Sequence, residues 1–286
     1  MELIQTTMLS DSQKKDILAL EAVCQQQDKL QGNIFLSNSI NFNSEINCFF
    51  MLYDENILIS FLAMFIPTLK EAEVSAYTLP ERRRQGHFGE LLNKADEELK
   101  AYSIKSILFV HEPDSNVAKL VLERINAKYE YSEYLLSYKR TSNPINQSGQ
   151  ITLELCSNES IEEIITLNMG IFKDNYEDTY SMVDKTLKSK DLLSYIAYLD
   201  GEMIGVCNVN LESEDVSIFG LGISSCHQGK GYAKEMLSLL LDRIENMNTK
   251  SISLEVNSVN DSAYNLYRKS GFEIKTQFDY YRYLLG

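Results

Sequence analysis

From Leu193 the chain carries two apolar runs, Leu193–Leu199 and Met203–Leu211, joined by Asp200-Gly201. Aspartate followed by glycine suits the positive φ angles of a two-residue turn, so the pattern predicts a β-hairpin. A third run, Val216–Ile223, follows the acidic turn Glu212–Asp215 and predicts another strand. Beyond a glycine-bearing loop the period changes. Met236, Leu237, Leu240, Leu241 and Ile244 recur at helical spacing and predict an amphipathic helix over Ala233–Ile244. Alternation over Ser251–Val256 predicts a strand. Ala263, Leu266 and Tyr267 share one face of a short helix over Asn260–Lys269, which Gly271 stops. Aromatic residues over Ile274–Leu285 predict a closing strand, and Ile161–Gly170 and Tyr180–Lys188 upstream read as helices.

The first half repeats this order. A hairpin forms around Asp54-Glu55-Asn56, a strand runs to Thr78, a helix starts near Gly86, Ile104–Val110 is a strand, and a helix starts near Ser115. At an offset of 145 residues Gly86 falls on Gly231, Leu91-Leu92 on Met236-Leu237, and Ala118 on Ala263. Several matches at one offset point to two copies of one fold. Between the copies, Thr141–Gly149 is polar, contains Pro144 and has no apolar period. It reads as a linker. The expected organisation is a first domain over 1–141, a linker over 142–149 and a second domain over 150–286.

Composition narrows the function. The 286 residues are 44% hydrophobic and 24% charged, an ordinary globular profile. No run approaches the roughly 20 apolar residues of a membrane helix, and the start Met-Glu-Leu-Ile-Gln has no signal-peptide pattern. A cytoplasmic protein with no membrane partner is expected. The five cysteines are scattered and never spaced C-x-x-C, so they read as reduced thiols. Cys226 lies beside the glycine loop, but no histidine–carboxylate partner is visible for it in the sequence. His87, His111 and His227 form no ligand cluster, so no metal is expected. A net charge of −14 argues against nucleic acid and tilts the expectation towards a cationic small-molecule partner.

The loop carries the chemistry. A strand ending at Ile223, the segment Gln228-Gly229-Lys230-Gly231-Tyr232-Ala233 and a helix behind it make an anion site. The first N–H groups of a helix lack partners, and the helix dipole adds roughly half a positive charge there. Glycine lets a diphosphate approach the backbone, and Lys230 adds a mobile charge. The longer pattern Gln228-x-x-Gly231-x-Ala233 resembles the Q/R-x-x-G-x-G/A signature of the GCN5-related N-acetyltransferases (GNAT). Leu254-Glu-Val256 with Asn260-x-x-Ala263-x-x-Leu266-Tyr267-x-x-x-Gly271-Phe272 resembles the second motif of that family.

The resemblance implies an α/β fold: two tandem GNAT-like domains, each a mixed, mostly antiparallel sheet with a splayed central strand pair and flanking helices. It implies acetyl-CoA as acyl donor, its pantetheine arm on Leu221, Gly222 and Ile223. The pyrophosphate would lie on the amides of Gln228, Gly229, Lys230, Gly231, Tyr232, Ala233 and Lys234, and Asn260 would touch the cofactor arm. Tyr267 stands where the family often places the acid that protonates the departing thiolate. The residue-level alternative for Asn260 is a helix N-cap, and for Tyr267 a core aromatic. The implied reaction is acetyl transfer to the amine of a small molecule. Two departures stand out. Ser225 replaces a common proline, and Val216–Ile223 holds no carboxylate to serve as base, leaving Glu212, Glu214, Asp215 and Glu255 as candidates for a water relay.

In the first copy Arg83-x-x-Gly86 keeps half of the signature, and Arg82, Arg83 and Arg84 offer charge for phosphates. Phe88 replaces the small residue, Ser115 stands for Asn260, Leu122 for Tyr267, and Asn126-Ala127 for Gly271-Phe272. This copy is expected to do no acetyl transfer. Two other functions compete for the chain as a whole, a non-catalytic acyl-CoA sensor or scaffold and a dinucleotide-binding protein. The second would leave the Asn260–Phe272 pattern unexplained, with Lys234 at the third glycine position of its motif.

Overall fold

The computed structural model describes residues 1–140, 149–212, 215–247 and 251–286. The linker expected at 142–149 therefore lies outside the described residues except for Gly149. The elements in chain order are β1 (Glu2–Thr6), α1 (Asp11–Asp28), β2 (Phe49–Asp54), β3 (Ile57–Phe65), β4 (Ala72–Thr78), α2 (His87–Ala101), β5 (Ser106–His111), α3 (Asn116–Arg124) and β6 (Lys128–Tyr138). They continue with β7 (Thr152–Leu155), α4 (Ile161–Phe172), α5 (Tyr176–Lys188), β8 (Leu192–Leu199), β9 (Glu202–Asn210), β10 (Asp215–Ile223), α6 (Tyr232–Glu245), β11 (Ser251–Asn257), α7 (Asp261–Lys269) and β12 (Phe272–Leu284).

The repeat holds residue for residue. β3 and β9, the 3-10 turns Pro80–Arg82 and Ser225–His227, and α3 and α7 are each 145 residues apart. Unusual backbone angles repeat as well. Glu55 and Asn56 have φ of 48° and 69°, matching 50° and 85° at Asp200 and Gly201. Asn126 at 58° stands for Gly271 at 95°, and Arg84 at 63° for Gly229 at 74°. Asparagine tolerates the left-handed region better than most residues, so the first copy keeps its turns with fewer glycines.

The compact units do not follow the linear halves. The first unit comprises Met1–Glu133 with Thr276–Gly286, and the second comprises Tyr134–Lys275. The closing strand expected for the second domain thus ends in the first unit. The sheet order in the first unit is β1-β2-β3-β4-β5-β12, and Asp279–Leu284 of β12 pairs antiparallel with β5. In the second unit it is β6-β11-β10-β9-β8-β7. The parallel pairs are β4 with β5 and β10 with β11, and the other neighbours with a recorded register are antiparallel.

In the second unit the sheet is covered on both faces. Met236, Leu237, Leu240, Leu241 and Ile244 of α6 are buried against one face together with Cys207, Val209, Leu254 and Val256. Ile164 and Ile165 of α4 and Val183 of α5 pack with Ile196 and Val206 on the other. In the first unit α1 starts with a capping box. Ser10 Oγ accepts from the Gln13 N–H, and the Gln13 side chain accepts from the Ser10 N–H. Its Ile17, Leu20 and Cys24 join the core with α2.

Candidate active site

β10 and β11 start as a parallel pair, with Asp215–Ile218 against Ser251–Leu254. Beyond Ile218 that register ends, and the ladder between β10 and β9 shifts between Phe219 and Gly222. The bulge contains Gly220, at φ 55°. Bulges bend a strand and leave residues out of the ladder, and here they separate the central pair at Leu221–Ile223. Glycine is required beside it. A methyl group on Gly205, opposite Ile223, would lie 2.9 Å from the Gly222 carbonyl oxygen and collide with Ile223 Cδ1.

The chain leaves β10 through one 3-10 turn. Gln228 Nε2 folds back to donate to the Ile223 carbonyl at 3.0 Å, fixing the loop to the strand end. Gly231, at φ 92° and ψ −7°, is the N-cap of α6 and makes no side-chain cap. The Lys234 and Glu235 N–H groups close the first turn onto the Gly231 carbonyl. Among the described residues, the N–H groups of Gly231, Tyr232 and Ala233 meet no acceptor. A methyl group on Gly229 or Gly231 would find no atom within 4 Å. These glycines serve their positive φ and leave an open approach to the amides, the donor set an anionic diphosphate needs. Gln228, Gly229, Lys230, Gly231 and Lys234 are exposed, Leu221, Gly222, Tyr232 and Ala233 half-buried, and Ile223 is buried.

Asn260 caps α7: its side-chain oxygen accepts from the Ala263 N–H at 3.1 Å. That oxygen is committed, and the exposed amide nitrogen is what it can offer a ligand. Tyr267 is 7% exposed, in contact with the Phe272 ring edge, and its hydroxyl makes no hydrogen bond to a described residue. Burial pushes its pKa up to about 12, with the nearby Cys207 thiol adding to the shift. Both residue-level readings of Asn260 and Tyr267 therefore hold, cap and core aromatic, and neither removes the functional one.

The candidates for a base are otherwise engaged. Glu212 bonds Asn210, Asp215 accepts from Ser251 Oγ at 2.6 Å, and Glu255 is exposed with a partner of its own. Glu214 lies outside the described residues. Sequence spacing hid one cluster. Cys226 Sγ lies 3.2 Å from His227 Nδ1, and His227 Nε2 lies 4.0 Å from Glu202 Oε2. The carboxylate comes from the start of β9, so no local pattern announces it. Among the described residues no group of three His, Cys, Asp or Glu could hold a metal ion, and no helix is long and apolar enough to cross a membrane.

The first copy shows what this site becomes without its bulge. β4 pairs with β3 in unbroken register. Tyr77 stands where β10 has Gly222, and burial raises its phenol strongly, beside Glu21 and Glu112. Arg83 Nε donates to the Thr78 carbonyl at 3.1 Å, as Gln228 does to Ile223, but its outer nitrogens grip Asp28. Arg82 pairs with Asp54 at 2.7 Å. Two of the three arginines expected to offer charge to phosphates thus spend it on acids of their own unit.

The bulged, parted strand pair and the glycine loop with its open amides lie within one continuous stretch of the chain. Residues 159–272 match the acetyltransferase (GNAT) family model. The fold likeness extends over the whole chain. A GCN5-related N-acetyltransferase from Sphaerobacter thermophilus is 15% identical, covering 99% of this chain and 96% of its own, at TM-score 0.75. A tandem GNAT protein from the clavulanic acid biosynthesis pathway is 12% identical, with coverage of 100% and 98%, at TM-score 0.73. A GNAT-family acetyltransferase from Colwellia psychrerythraea is 13% identical, with coverage of 99% and 100%, at TM-score 0.63. The chain is a tandem of GNAT folds whose second copy carries the family's sequence match.

Proposed function

We propose that the second unit binds acetyl-CoA and transfers its acetyl group to a primary amine by direct attack, with Tyr267 as general acid. The observation that carries this reading is the joining of the β10 bulge to the open amides of α6. An extended arm laid along Leu221–Ile223 reaches the backbone of a strand that has left its parallel neighbour, and its diphosphate end meets Gln228–Lys234. Lys230 adds charge at the rim, and the Asn260 amide nitrogen donates to the arm while its oxygen keeps the cap.

The bound thioester supplies an activated acyl carbon. The amine nitrogen bonds to that carbon, the carbon–sulfur bond breaks, and the sulfur takes the electron pair and a proton from the Tyr267 phenol. The amine's surplus proton goes to solvent, from which the phenol recovers its own. At about 12 the phenol is fully protonated at neutral pH, the state an acid must start in. It is also a weaker acid than a free phenol. The same burial that lifts Tyr267 lifts thiols in this core, as the Cys207 thiol shows. A thiolate released into similarly buried surroundings is made more basic by the same physical effect.

Turnover measured as CoA release over a broad amine panel tests the reading. Tyr267→Phe should lower kcat about 100-fold, the low end for general acid catalysis, with acetyl-CoA Kd unchanged. Unchanged kcat removes Tyr267 from the chemistry. Tight acetyl-CoA binding with no turnover on any amine would favour a sensor, and binding of NAD in preference to acetyl-CoA would favour a dinucleotide site.

A further inference from the structure

Asn208 on β9 is 8% exposed, yet its carboxamide makes no hydrogen bond with any described residue. Its neighbours on the same face are served. Ser194, opposite on β8, bonds the Cys156 thiol. Asn210 donates to Glu212 Oε2 at 3.1 Å and accepts from the Glu212 N–H at 2.8 Å. A carboxamide set this deep, with no partner among the described residues, has donor and acceptor capacity left for a ligand.

The amide is aimed at the β10 bulge. A methyl group on Gly220 would lie 2.7 Å from Asn208 Nδ2, with the Phe172 ring 3.9 Å away. A methyl group on Gly222 would collide with Ile171 and come within 3.2 Å of Phe172. Asn208, the two bare glycines and the end of α4 thus share one face of the parted strand. Gly205 faces the other way, towards Met236 of α6. The first copy, whose β4 has no bulge, has Ala63, Ser75 and Tyr77 at the positions of Asn208, Gly220 and Gly222. The first copy thus has no carboxamide at the position equivalent to Asn208.

We infer that Asn208 forms the acceptor subsite of this acetyltransferase, accepting an N–H of the incoming amine on its side-chain oxygen, and that the subsite takes amines docked as the uncharged free base. This rests on the acetyl-transfer reading above. Val216–Ile223 offers no carboxylate, and Glu212 and Asp215 are engaged elsewhere. A carboxamide dipole does not compensate the burial of an ammonium ion. The acceptor class is therefore primary amines of low basicity, such as alkoxyamines, hydrazides and arylamines, whose apolar body rests on Ile171 and Phe172. The net charge of −14 acts at longer range, drawing cations to the surface.

The test is steady-state kinetics of the full-length chain with acetyl-CoA at neutral pH, comparing O-benzylhydroxylamine with benzylamine. The two are similar in size, and only the second is a cation in solution. Wild type should favour O-benzylhydroxylamine at least tenfold in kcat/KM. Asn208→Ala should lose at least tenfold on that amine, mainly through its KM, with acetyl-CoA Kd unchanged and a thermal midpoint equal to or above wild type. Asn208→Asp should shift the preference towards benzylamine. If wild type turns over and Asn208→Ala matches it, or if wild type prefers benzylamine, the subsite is overturned while acetyl transfer stands. A lowered midpoint with unchanged kcat/KM shows a purely structural asparagine. Acetyl-CoA binding without turnover on any amine removes the acetyl-transfer reading and the subsite with it.

Discussion

Gly205 is the residue whose replacement reports most directly on the parted strand. It pairs with Ile223 at the end of β10, where the chain turns into the glycine loop. Gly205→Ala places a methyl group 2.9 Å from the Gly222 carbonyl oxygen and 3.3 Å from Met236 Sδ, and in collision with Ile223 Cδ1. The methionine is flexible and yields. Ile223 is 5% exposed and Met236 0%, and both pack in the core of the second unit. The carbonyl belongs to the backbone proposed to hold pantetheine, and relief to an ordinary contact of about 3.4 Å requires that strand to move by about half an ångström. Overpacking of this kind costs about 2 kcal/mol, or about 4–8 °C in midpoint for a unit of this size. The assay pairs thermal unfolding with acetyl-CoA titration, and the expected result is a lowered midpoint with at least tenfold weaker binding. A midpoint within 1 °C of wild type and unchanged affinity would show that the bulge is softer than these distances imply. The first copy provides an internal comparison. Ser60 occupies the equivalent position beside an unbulged β4, and its hydroxyl lies 2.8 Å from Thr78 Oγ1.

Three further outcomes follow from other parts of the chain. Arg83→Ala leaves the Asp28 carboxylate partly buried and unpaired, its side chain 16% exposed. It should destabilise the first unit by about 3 kcal/mol in urea unfolding, and a loss below 1 kcal/mol would mean that water replaces the arginine. Burial raises the Glu133 pKa, opposed by the Tyr280 hydroxyl donating to it. A raised carboxyl contributes stability that is full below its unfolded pKa of about 4.3 and is lost as pH rises through the folded pKa. Glu133→Gln should therefore match wild type near pH 3.5 and gain in midpoint towards neutrality, whereas a pH-independent offset would contradict this. Deleting Thr276–Gly286 removes the antiparallel partner of β5 and buried Tyr280. Hydrogen exchange at Ser106–His111 should then accelerate by at least 100-fold, and retained protection would show that β5 needs no such neighbour.

Much of this fold is legible in periodicity because both copies obey the same local rules. The α6 stripe from Met236 to Ile244 is buried as its spacing predicts. The turns at Glu55-Asn56 and Asp200-Gly201 keep one backbone path with different residues. α1 was equally legible from Ser10 and Gln13, a capping box that a motif-centred reading passes over. What periodicity withholds is partnership. Alternation says which way side chains point along β12 but not which strand it joins. Alternation sets Asn208 and Asn210 on the same side of β9 as Val206, but not what covers that side, which is α4 and α5. The Cys226–His227–Glu202 cluster likewise depends on the hairpin register that brings Glu202 back to the loop.

The placement of Thr276–Gly286 in the first unit sets an order of maturation. A chain made from its N-terminus displays Met1–Glu133 long before the strand that β5 pairs with exists. At about 5–20 residues per second, the interval between emergence of Glu133 and of Thr276 is roughly 7–30 s. During that time β5 presents an open strand edge, the feature that most readily recruits a wrong partner. The first copy, translated first, is thus the last to finish, and a nascent chain stalled within the second copy carries an edge that chaperones or neighbouring chains can capture.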